Sequence, residues 1–143
     1  MSQLKISLKK EKKYLKNLIE FGVDDKYNSK ALGQKGRKKG VYIISTQDPE
    51  KIIYVGKTRG STMYFSKRLR RHAQKGASGN SRVYKKLKEI SNQDRPLKVS
   101  LINKNKVKEH FKTIDVDFSE AAMIDTLEQV LIHYLNPVIQ EEN

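Results

Sequence analysis

Two short runs rich in β-branched and aromatic residues constrain the fold more than any other feature of the chain. They cover residues 41–45 and 52–57, and an Asp-Pro pair at 48–49 gives a turn signal between them. This pattern predicts an antiparallel hairpin. If residue 48 is the centre of the turn, Tyr42 pairs with Tyr54, and any even-sum register places both rings on one face of the sheet.

Helical and strand patterns fill most of the remaining chain. Residues 24–40 are rich in glycine and basic residues, which predicts a loop. The last predicted helix begins at the N-cap Ser119 and ends at Asn136, because Pro137 restricts the residue before it. The other predicted elements are a basic N-terminal helix at 3–20, helices at 64–75 and 81–90, a strand at 97–102 and a weaker strand at 107–117.

The charge is distributed unevenly along the chain. The 143 residues carry 30 Lys and Arg against 16 Asp and Glu, a net charge of +14. Lys112 is the last basic residue and seven acids follow it, so residues 1–112 hold 30 basic and nine acidic residues. A basic body of this kind attracts a polyanion, most often nucleic acid; anionic membranes and a structural role of the ribosomal type are the alternatives.

Composition excludes several other classes of protein. Cysteine is absent, which excludes disulfides and thiolate metal sites. No apolar run approaches the length of a membrane span, and the lysine-rich N-terminus lacks the apolar core of a signal peptide. We therefore expect a soluble, cytoplasmic protein that binds DNA and no membrane. The candidate DNA contacts are Lys35, Arg37, Lys38, Lys39, Arg59, Arg70, Arg71, Arg82, Lys85 and Lys86.

Glu128 occupies an unexpected place in the last predicted helix. The helix positions within about 60° of the same centre line are otherwise apolar: Ala121, Ile124, Leu131, Ile132 and Leu135. Burying an unpaired carboxylate is costly, so the group neutralises or finds a partner. Three explanations stay open: an ion pair with a buried arginine, a local cap, or a metal at the edge of the core. A lone carboxylate suits Mg²⁺, which keeps several waters and takes phosphate oxygens from a substrate.

Four features in order resemble the GIY-YIG nuclease family. Gly-Val-Tyr at 40–42 and Tyr-Val-Gly-Lys at 54–57 match the paired motif that names the family. An arginine follows on the next predicted helix at Arg68, and a glutamate stands on the late helix at Glu128, ahead of a proline. The resemblance covers residues 39–140 and implies an α+β fold with a small three-stranded antiparallel sheet flanked by helices.

The resemblance also implies hydrolysis of DNA phosphodiesters to 5′-phosphate and 3′-hydroxyl ends with one divalent metal, Mg²⁺ or Mn²⁺. It implies a metal ligand, a phosphate stabiliser, a motif lysine, a tyrosine pair and a histidine one turn after the arginine: Glu128, Arg68, Lys57, Tyr42 with Tyr54, and His72. We favour Tyr42 as the general base. Two departures are Gln140, where the family often has asparagine, and residues 59–62, which lengthen the connection to the arginine helix.

These features lead to one main hypothesis and two alternatives. The main hypothesis is a basic extension, residues 1–38, followed by a nuclease domain, residues 39–143, that acts as a free-standing endonuclease of restriction, phage or mobile-element type. The alternatives are a non-catalytic nucleic-acid-binding protein that keeps the fold and a structure-selective repair nuclease. Because one chain holds one active site, cutting both strands needs two visits or a homodimer.

Overall fold

A four-stranded antiparallel sheet organises the chain in the computed structural model, which describes residues 14–16, 18–74, 82–93, 95–112 and 117–140. The strands are β1 (Ile19–Phe21), β2 (Gly40–Thr46), β3 (Lys51–Thr58) and β4 (Leu97–Asn103). Their order across the sheet is β1-β4-β2-β3, and every neighbouring pair is antiparallel. Strand β2 is buried along its whole length, because it has a strand on each side and helices above and below.

Helices cover both faces of this sheet. They are α1 (Phe65–Ala73), α2 (Arg82–Asn92), α3 (Lys104–Glu109) and α4 (Glu120–Leu135). On one face, α1 and α2 bury apolar side chains against Tyr42, Ile44 and Val99. On the other face, α3 and α4 pack against Ile43 and Val55. The alternation of side chains along β2 therefore feeds two separate cores.

The predicted α+β class is confirmed, with one more strand than expected. The helix predicted at 3–20 is wrong at its end, since Ile19–Phe21 pair with β4 as an edge strand. Phe21 is buried in the core beneath α1 and α2, and this burial together with strand pairing outweighs the helical pattern. Residues 14–15 are helical, while residues 1–13 and 17 lie outside the described residues.

Helix ends agree with the sequence signals where those signals are capping residues. Ser119 caps α4, because its hydroxyl accepts the backbone N–H of Ala122 at 3.2 Å. Asn136 closes the helix in the left-handed conformation, with φ 48°. The helices predicted at 64–75 and 81–90 are confirmed as α1 and α2, although residues 75 and 81 lie outside the described part of the chain.

Two segments differ from the prediction. The predicted loop at 24–40 contains two 3₁₀ helices, Asp24–Lys26 and Ser29–Arg37. The strand predicted at 107–117 is wrong, because α3 occupies its start and Asn103 caps that helix by accepting two backbone N–H groups. Its remainder includes residues 113–116, which are not among those described.

The hairpin is confirmed, but its register differs from the prediction. Tyr42 pairs with Gly56 rather than with Tyr54, which pairs with Ile44. Near the turn the paired residue numbers sum to 97, and beyond a bulge after Ile44 they sum to 98. The extra residue is Ile53, which packs in the same core as Tyr54. Beyond the bulge the paired residue numbers therefore sum to an even number, as predicted. Tyr42 and Tyr54, which both have even numbers, consequently lie on the same side of the sheet, the side covered by α1.

The C-terminal segment covers the outer edge of β3. The backbone N–H groups of Val138 and Ile139 donate to the carbonyls of Ile52 and Ile53, at 3.1 and 2.8 Å. Ile139 is buried in the core beneath α1 and α2. The chain thus passes from α4 on one face to the other face along this edge, which is the edge that carries the second sequence motif.

Candidate active site

Tyr42 lies at the centre of the sheet, on the face covered by α1 and α2. Its side chain is 1% exposed. A Cβ atom at Gly56, its strand partner, would lie 2.3 Å from both Cζ and the hydroxyl oxygen of Tyr42. The tyrosine ring therefore lies directly over the glycine backbone, which gives the glycine of the second motif a steric reason.

Tyr54 and His72 form a tyrosine–histidine cluster with Tyr42. The ring centroids are 6.1 Å apart for the two tyrosines, 5.8 Å for Tyr42 and His72, and 5.3 Å for Tyr54 and His72. The hydroxyl of Tyr42 is hydrogen bonded to Nε2 of His72 at 2.6 Å. The structure thus brings together three of the residues that the sequence singles out.

The imidazole in this cluster is held in its neutral form. Burial and, second to it, the positive charge of Arg68 lower the pKa of His72 from 6.5 to about 4. At neutral pH the His72 ring therefore carries one proton, either on Nδ1 or on Nε2. In the first case Nε2 accepts the proton of the Tyr42 hydroxyl; in the second it donates a hydrogen bond to the phenolic oxygen.

Arg68 lies one helical turn before His72 on α1. Its Nε atom is buried, as is Nδ1 of His72, and neither has a hydrogen-bond partner within the described ranges. Buried polar groups in native proteins are nearly always paired, so two unpaired nitrogens one helical turn apart are unusual and mark a candidate functional position. Both therefore have unused hydrogen-bonding capacity.

A lysine–carboxylate cluster, formed by Lys57, Arg59, Asp125 and Glu128, lies on the α4 side. Nζ of Lys57 is 3.0 Å from Oδ1 of Asp125 and 3.4 Å from Oε1 of Glu128. Nε of Arg59 is 2.9 Å from the same Asp125 oxygen. Two cations from the end of β3 therefore face two carboxylates three residues apart on α4.

Glu128 is the most buried member of this cluster, with 7% of the residue exposed. Burial raises the pKa of its carboxyl group, and the nearby ammonium of Lys57 opposes that rise. The ion pair considered from the sequence is therefore made with a lysine at the end of β3, and not with a buried arginine. Gln129 also donates to this carboxylate, at 3.3 Å.

The two clusters are connected by β3. Tyr54 points to the α1 side, and Lys57, three residues later, reaches the carboxylates of α4. Between them, Gln140 donates from Nε2 to the carbonyl of Val55 at 3.4 Å, and its Oε1 is buried without a partner among the described residues. The predicted site residues therefore fall into two groups on either side of one strand end.

The carboxylates fit a weakly ligated, hard divalent cation. Asp125 and Glu128 already stabilise one positive charge between them, because the ammonium of Lys57 is paired with both carboxylates. Within the part of the chain that the structure describes, no three His, Cys, Asp or Glu side chains form a metal-binding group. This donor set suits a cation that keeps most of its ligands as water and phosphate oxygens, as Mg²⁺ does.

Sequence reasoning missed Asp125. The available signal was its spacing, because two acids three residues apart share one face of a helix. Arg59, predicted as a DNA contact, is the residue that Asp125 holds.

The other predicted DNA contacts are mostly exposed. Lys39 donates to the carbonyl of Gly60, and Lys86 lies 3.4 Å from Glu89. The exposed residues are Lys35, Arg37, Lys38, Arg70, Arg71, Arg82 and Lys85.

Across the described residues, no helix combines the length and the apolar character needed to cross a membrane.

Comparison with known proteins gives one match, to a protein family. Neither a curated protein nor a solved structure gives a significant match. Residues 38–143 match the family model of the GIY-YIG catalytic domain. This match covers most of the chain, and with the hairpin motif and the α+β sheet described above it shows that the chain belongs to the GIY-YIG family and has a nuclease-type fold.

Proposed function

We propose that this protein is a divalent-metal-dependent DNA endonuclease that hydrolyses phosphodiester bonds to 5′-phosphate and 3′-hydroxyl ends. The observation that carries the proposal is the 2.6 Å hydrogen bond between the Tyr42 hydroxyl and the neutral His72 ring. Hydrolysis needs a base that takes a proton from water, and this pair supplies one in a dry environment. The net charge of +14 supports a polyanionic substrate.

Tyr42 acts as the general base through its phenolic oxygen. An unperturbed tyrosine has a pKa of about 10, so its anion must be stabilised. The neutral His72 ring does so in the tautomer in which Nε2–H donates to the phenolic oxygen. Tyr54, whose ring packs against both, holds the water or the phosphate in position.

Arg68 stabilises the phosphate. Its guanidinium is a planar fork with several donors, and such forks bind two phosphate oxygens at once. The buried Nε atom has no partner within the described ranges, so it has donor capacity to give to the transition state. Lys57 adds a second positive charge at the end of β3, where charge develops during hydrolysis.

Glu128 would hold the metal, with Asp125 beside it. When bound, a divalent cation supplies Lewis-acid stabilisation of the phosphate and of the departing oxygen. Lys57 would keep a second carboxylate as its partner, because its ammonium also lies 3.0 Å from Asp125. Gln140 keeps the strand end closed by its hydrogen bond to β3.

Nicking of supercoiled plasmid tests the proposal. Wild-type protein is incubated with Mg²⁺, with Mn²⁺ and with a chelator, and compared with Glu128→Ala. We expect metal-dependent nicking by the wild type and none by the variant. Binding of the plasmid without nicking would support a non-catalytic DNA-binding protein instead. Equal nicking by both proteins would place the metal site elsewhere or reveal a contaminant.

The products test the chemistry and the biological type. Nicks closed by DNA ligase without other treatment carry 5′-phosphate and 3′-hydroxyl ends, as proposed. Sequencing the cut ends separates a restriction enzyme, which cuts one short site, from a phage or mobile-element nuclease or a structure-selective repair nuclease. Sedimentation of the protein on DNA shows whether a homodimer cuts both strands.

A further inference from the structure

A cleft of about 540 Å³ opens beside the N-terminal end of α1, and its lining residues are not among those that the proposed chemistry uses. It lies between the second 3₁₀ helix and the start of α1. The lining residues are Ser29, Lys30, Gly33, Arg37, Tyr64 and Ser66. A cleft of this size is in the range of small-ligand sites.

The lining has the chemistry of a nucleotide site. Lys30 and Arg37 are exposed cations, Ser29 and Ser66 add two hydroxyl groups, and none of the described residues that line the cleft is a carboxylate. The ring of Tyr64 is 38% exposed. Cations and hydroxyls bind phosphate, and an exposed aromatic ring stacks on a base.

The walls of the cleft are fixed by contacts at their base. Tyr27 donates its hydroxyl proton to the carbonyl of Ser66 at 2.8 Å, and the N–H of Phe65 donates to the carbonyl of Lys38 at 3.0 Å. A Cβ atom at Gly36 would lie 3.1 Å from Cβ of Ser66, so the 3₁₀ helix packs closely against α1. Because these contacts hold the walls in place before a ligand arrives, binding costs little conformational entropy.

Gly33 leaves the mouth of the cleft open. It has φ +56°, at a kink between two 3₁₀ turns, and a Cβ atom there would meet nothing within 4 Å. A ligand can therefore approach this backbone closely, which glycine permits and larger residues obstruct.

The cleft lies next to the proposed phosphate site. The N–H of Arg68 donates to the carbonyl of Tyr64 at 3.1 Å. Four helical residues correspond to about 6 Å of helix axis, which is roughly two base steps of duplex rise. A DNA strand with a phosphate at Arg68 can therefore have a nucleotide about two steps away in the cleft.

We propose that this cleft binds one unpaired nucleotide of the DNA strand that is cut, with its base stacked on Tyr64 and its phosphate on Arg37 and Lys30. The inference rests on the proposed function for the position of the scissile phosphate. A paired base has both faces hidden in the duplex stack, so a ring inside a cleft reaches only a base that has left the stack. The protein therefore favours DNA with an unpaired or extruded nucleotide.

A fluorescence experiment tests the stacking. The chain has no tryptophan, so Tyr64→Trp introduces a single reporter, and Tyr134→Trp places a matched reporter at another exposed tyrosine, 58% exposed on α4. Each is titrated in chelator with a short duplex that contains one unpaired adenine. We expect quenching in Tyr64→Trp and little change in Tyr134→Trp. DNA binding without quenching in Tyr64→Trp would overturn the proposal.

Affinity measurements by fluorescence anisotropy test the specificity in the same chelator. The wild type is expected to bind the duplex with the unpaired adenine about fivefold more tightly than the fully paired duplex. Tyr64→Ala abolishes this preference, Tyr64→Phe keeps it, and Tyr134→Ala leaves it unchanged. Equal affinity of the wild type for both duplexes, or an unchanged preference in Tyr64→Ala, would overturn the proposal.

The phosphate contacts are tested by salt dependence. Arg37→Ala and Lys30→Ala are each expected to lower the slope of log affinity against log salt concentration by about one, whereas Lys51→Ala, at an exposed lysine at the start of β3, serves as control. Slopes equal to that of the control would show that Arg37 and Lys30 do not contact the phosphate of the bound nucleotide. Because these measurements exclude metal, a protein that binds as expected but does not nick plasmid loses the proposed function and keeps the cleft as a binding site for an unpaired nucleotide. A protein that nicks plasmid without the preference loses only the inference.

Discussion

The two clusters beside β3 differ in charge and in their access to water. Tyr42 and His72 are buried and aromatic, and the His72 ring is uncharged at neutral pH, since burial and the charge of Arg68 lower its pKa to about 4. Across the strand, the side chains of Lys57 and Asp125 are 33% and 38% exposed and form an ion pair. Only Glu128 is buried there, and burial raises the pKa of its carboxyl group.

We propose that this difference reflects a division of labour along one strand end. Proton transfer is assigned to the tyrosine–histidine cluster, in which a hydrogen bond of 2.6 Å joins a phenol to an imidazole. A metal and a phosphate need mobile water and compensating charges, and the lysine–carboxylate cluster offers both. The comparison can be tested by changing one cluster while the other is left intact.

The largest effect is expected for Glu128→Gln. The variant keeps the side-chain volume but removes the carboxylate, so metal-dependent nicking should fall by about 10²-fold or more. Thermal stability at neutral pH should be unchanged or higher, because a buried charge is removed and Lys57 keeps Asp125 as a partner. Plasmid nicking and thermal unfolding measure the two outcomes; Glu120→Gln, at an exposed acid on the same helix, is the control. A loss of activity together with a loss of folding would contradict the assignment.

The next largest effect is expected for Gly56→Ala, which tests the other cluster. Its new methyl group would lie 2.3 Å from the Tyr42 ring, so the ring must move and its bond to His72 is lost. We expect destabilisation by about 1–3 kcal/mol and a fall in nicking of about 10²-fold. Adding Tyr42→Leu should make the two losses of stability less than additive, since the clash is then relieved. Strict additivity in denaturant unfolding would show that the ring is not displaced.

Features of the two clusters that follow from the periodicity of helices and strands could be predicted from the sequence. Helical spacing alone placed Glu128 in an apolar stripe, and that pattern follows from fixed backbone geometry. The predicted shared face of Tyr42 and Tyr54 is confirmed, but it depends on a bulge that periodicity did not predict.

Other parts depend on contacts that no local pattern encodes. The β-bulge at Ile53 shifts the hairpin register, and β1 forms only because β4 offers it an edge. The ion pairs of Asp125 join two elements that are far apart in sequence, so its spacing from Glu128 alone did not identify its partners. Such features require the packed structure.

A smaller effect is expected for Asp125→Asn. Without this carboxylate, Lys57 pairs only with Glu128 and competes more strongly with the metal. The Mg²⁺ concentration for half-maximal nicking should rise by about tenfold, while the rate at saturating Mg²⁺ recovers. Glu120→Asn, which removes an acid paired with Lys108 at 2.8 Å on the same helix, should leave both values unchanged. A lowered rate at every Mg²⁺ concentration would instead indicate that Asp125 acts on the substrate.

The sharpest contrast between the two clusters concerns the response of stability to acid. The pKa of His72 is lowered from 6.5 to about 4 in the folded protein, so the unfolded chain binds a proton that the folded chain refuses. Its contribution is complete above about pH 6.5 and is lost as the pH falls towards 4, which amounts to about 3 kcal/mol. His72→Gln should therefore lose less stability than the wild type across this window.

Glu128 should show the opposite sign. Its folded pKa is raised, so the folded protein takes up a proton before the unfolded chain does, and the cost of its buried charge disappears as the pH falls. In chelator, acidification should make His72→Gln more stable relative to wild type, because this variant lacks the group whose stabilising contribution the wild type loses. It should make Glu128→Gln less stable relative to wild type, because this variant lacks the buried carboxylate whose cost the wild type escapes on protonation. Denaturant unfolding of the three proteins at several pH values measures these differences, in which the titration of all other groups cancels. Differences of the same sign would mean that the two clusters share one electrostatic environment, and the division of labour across β3 would fail.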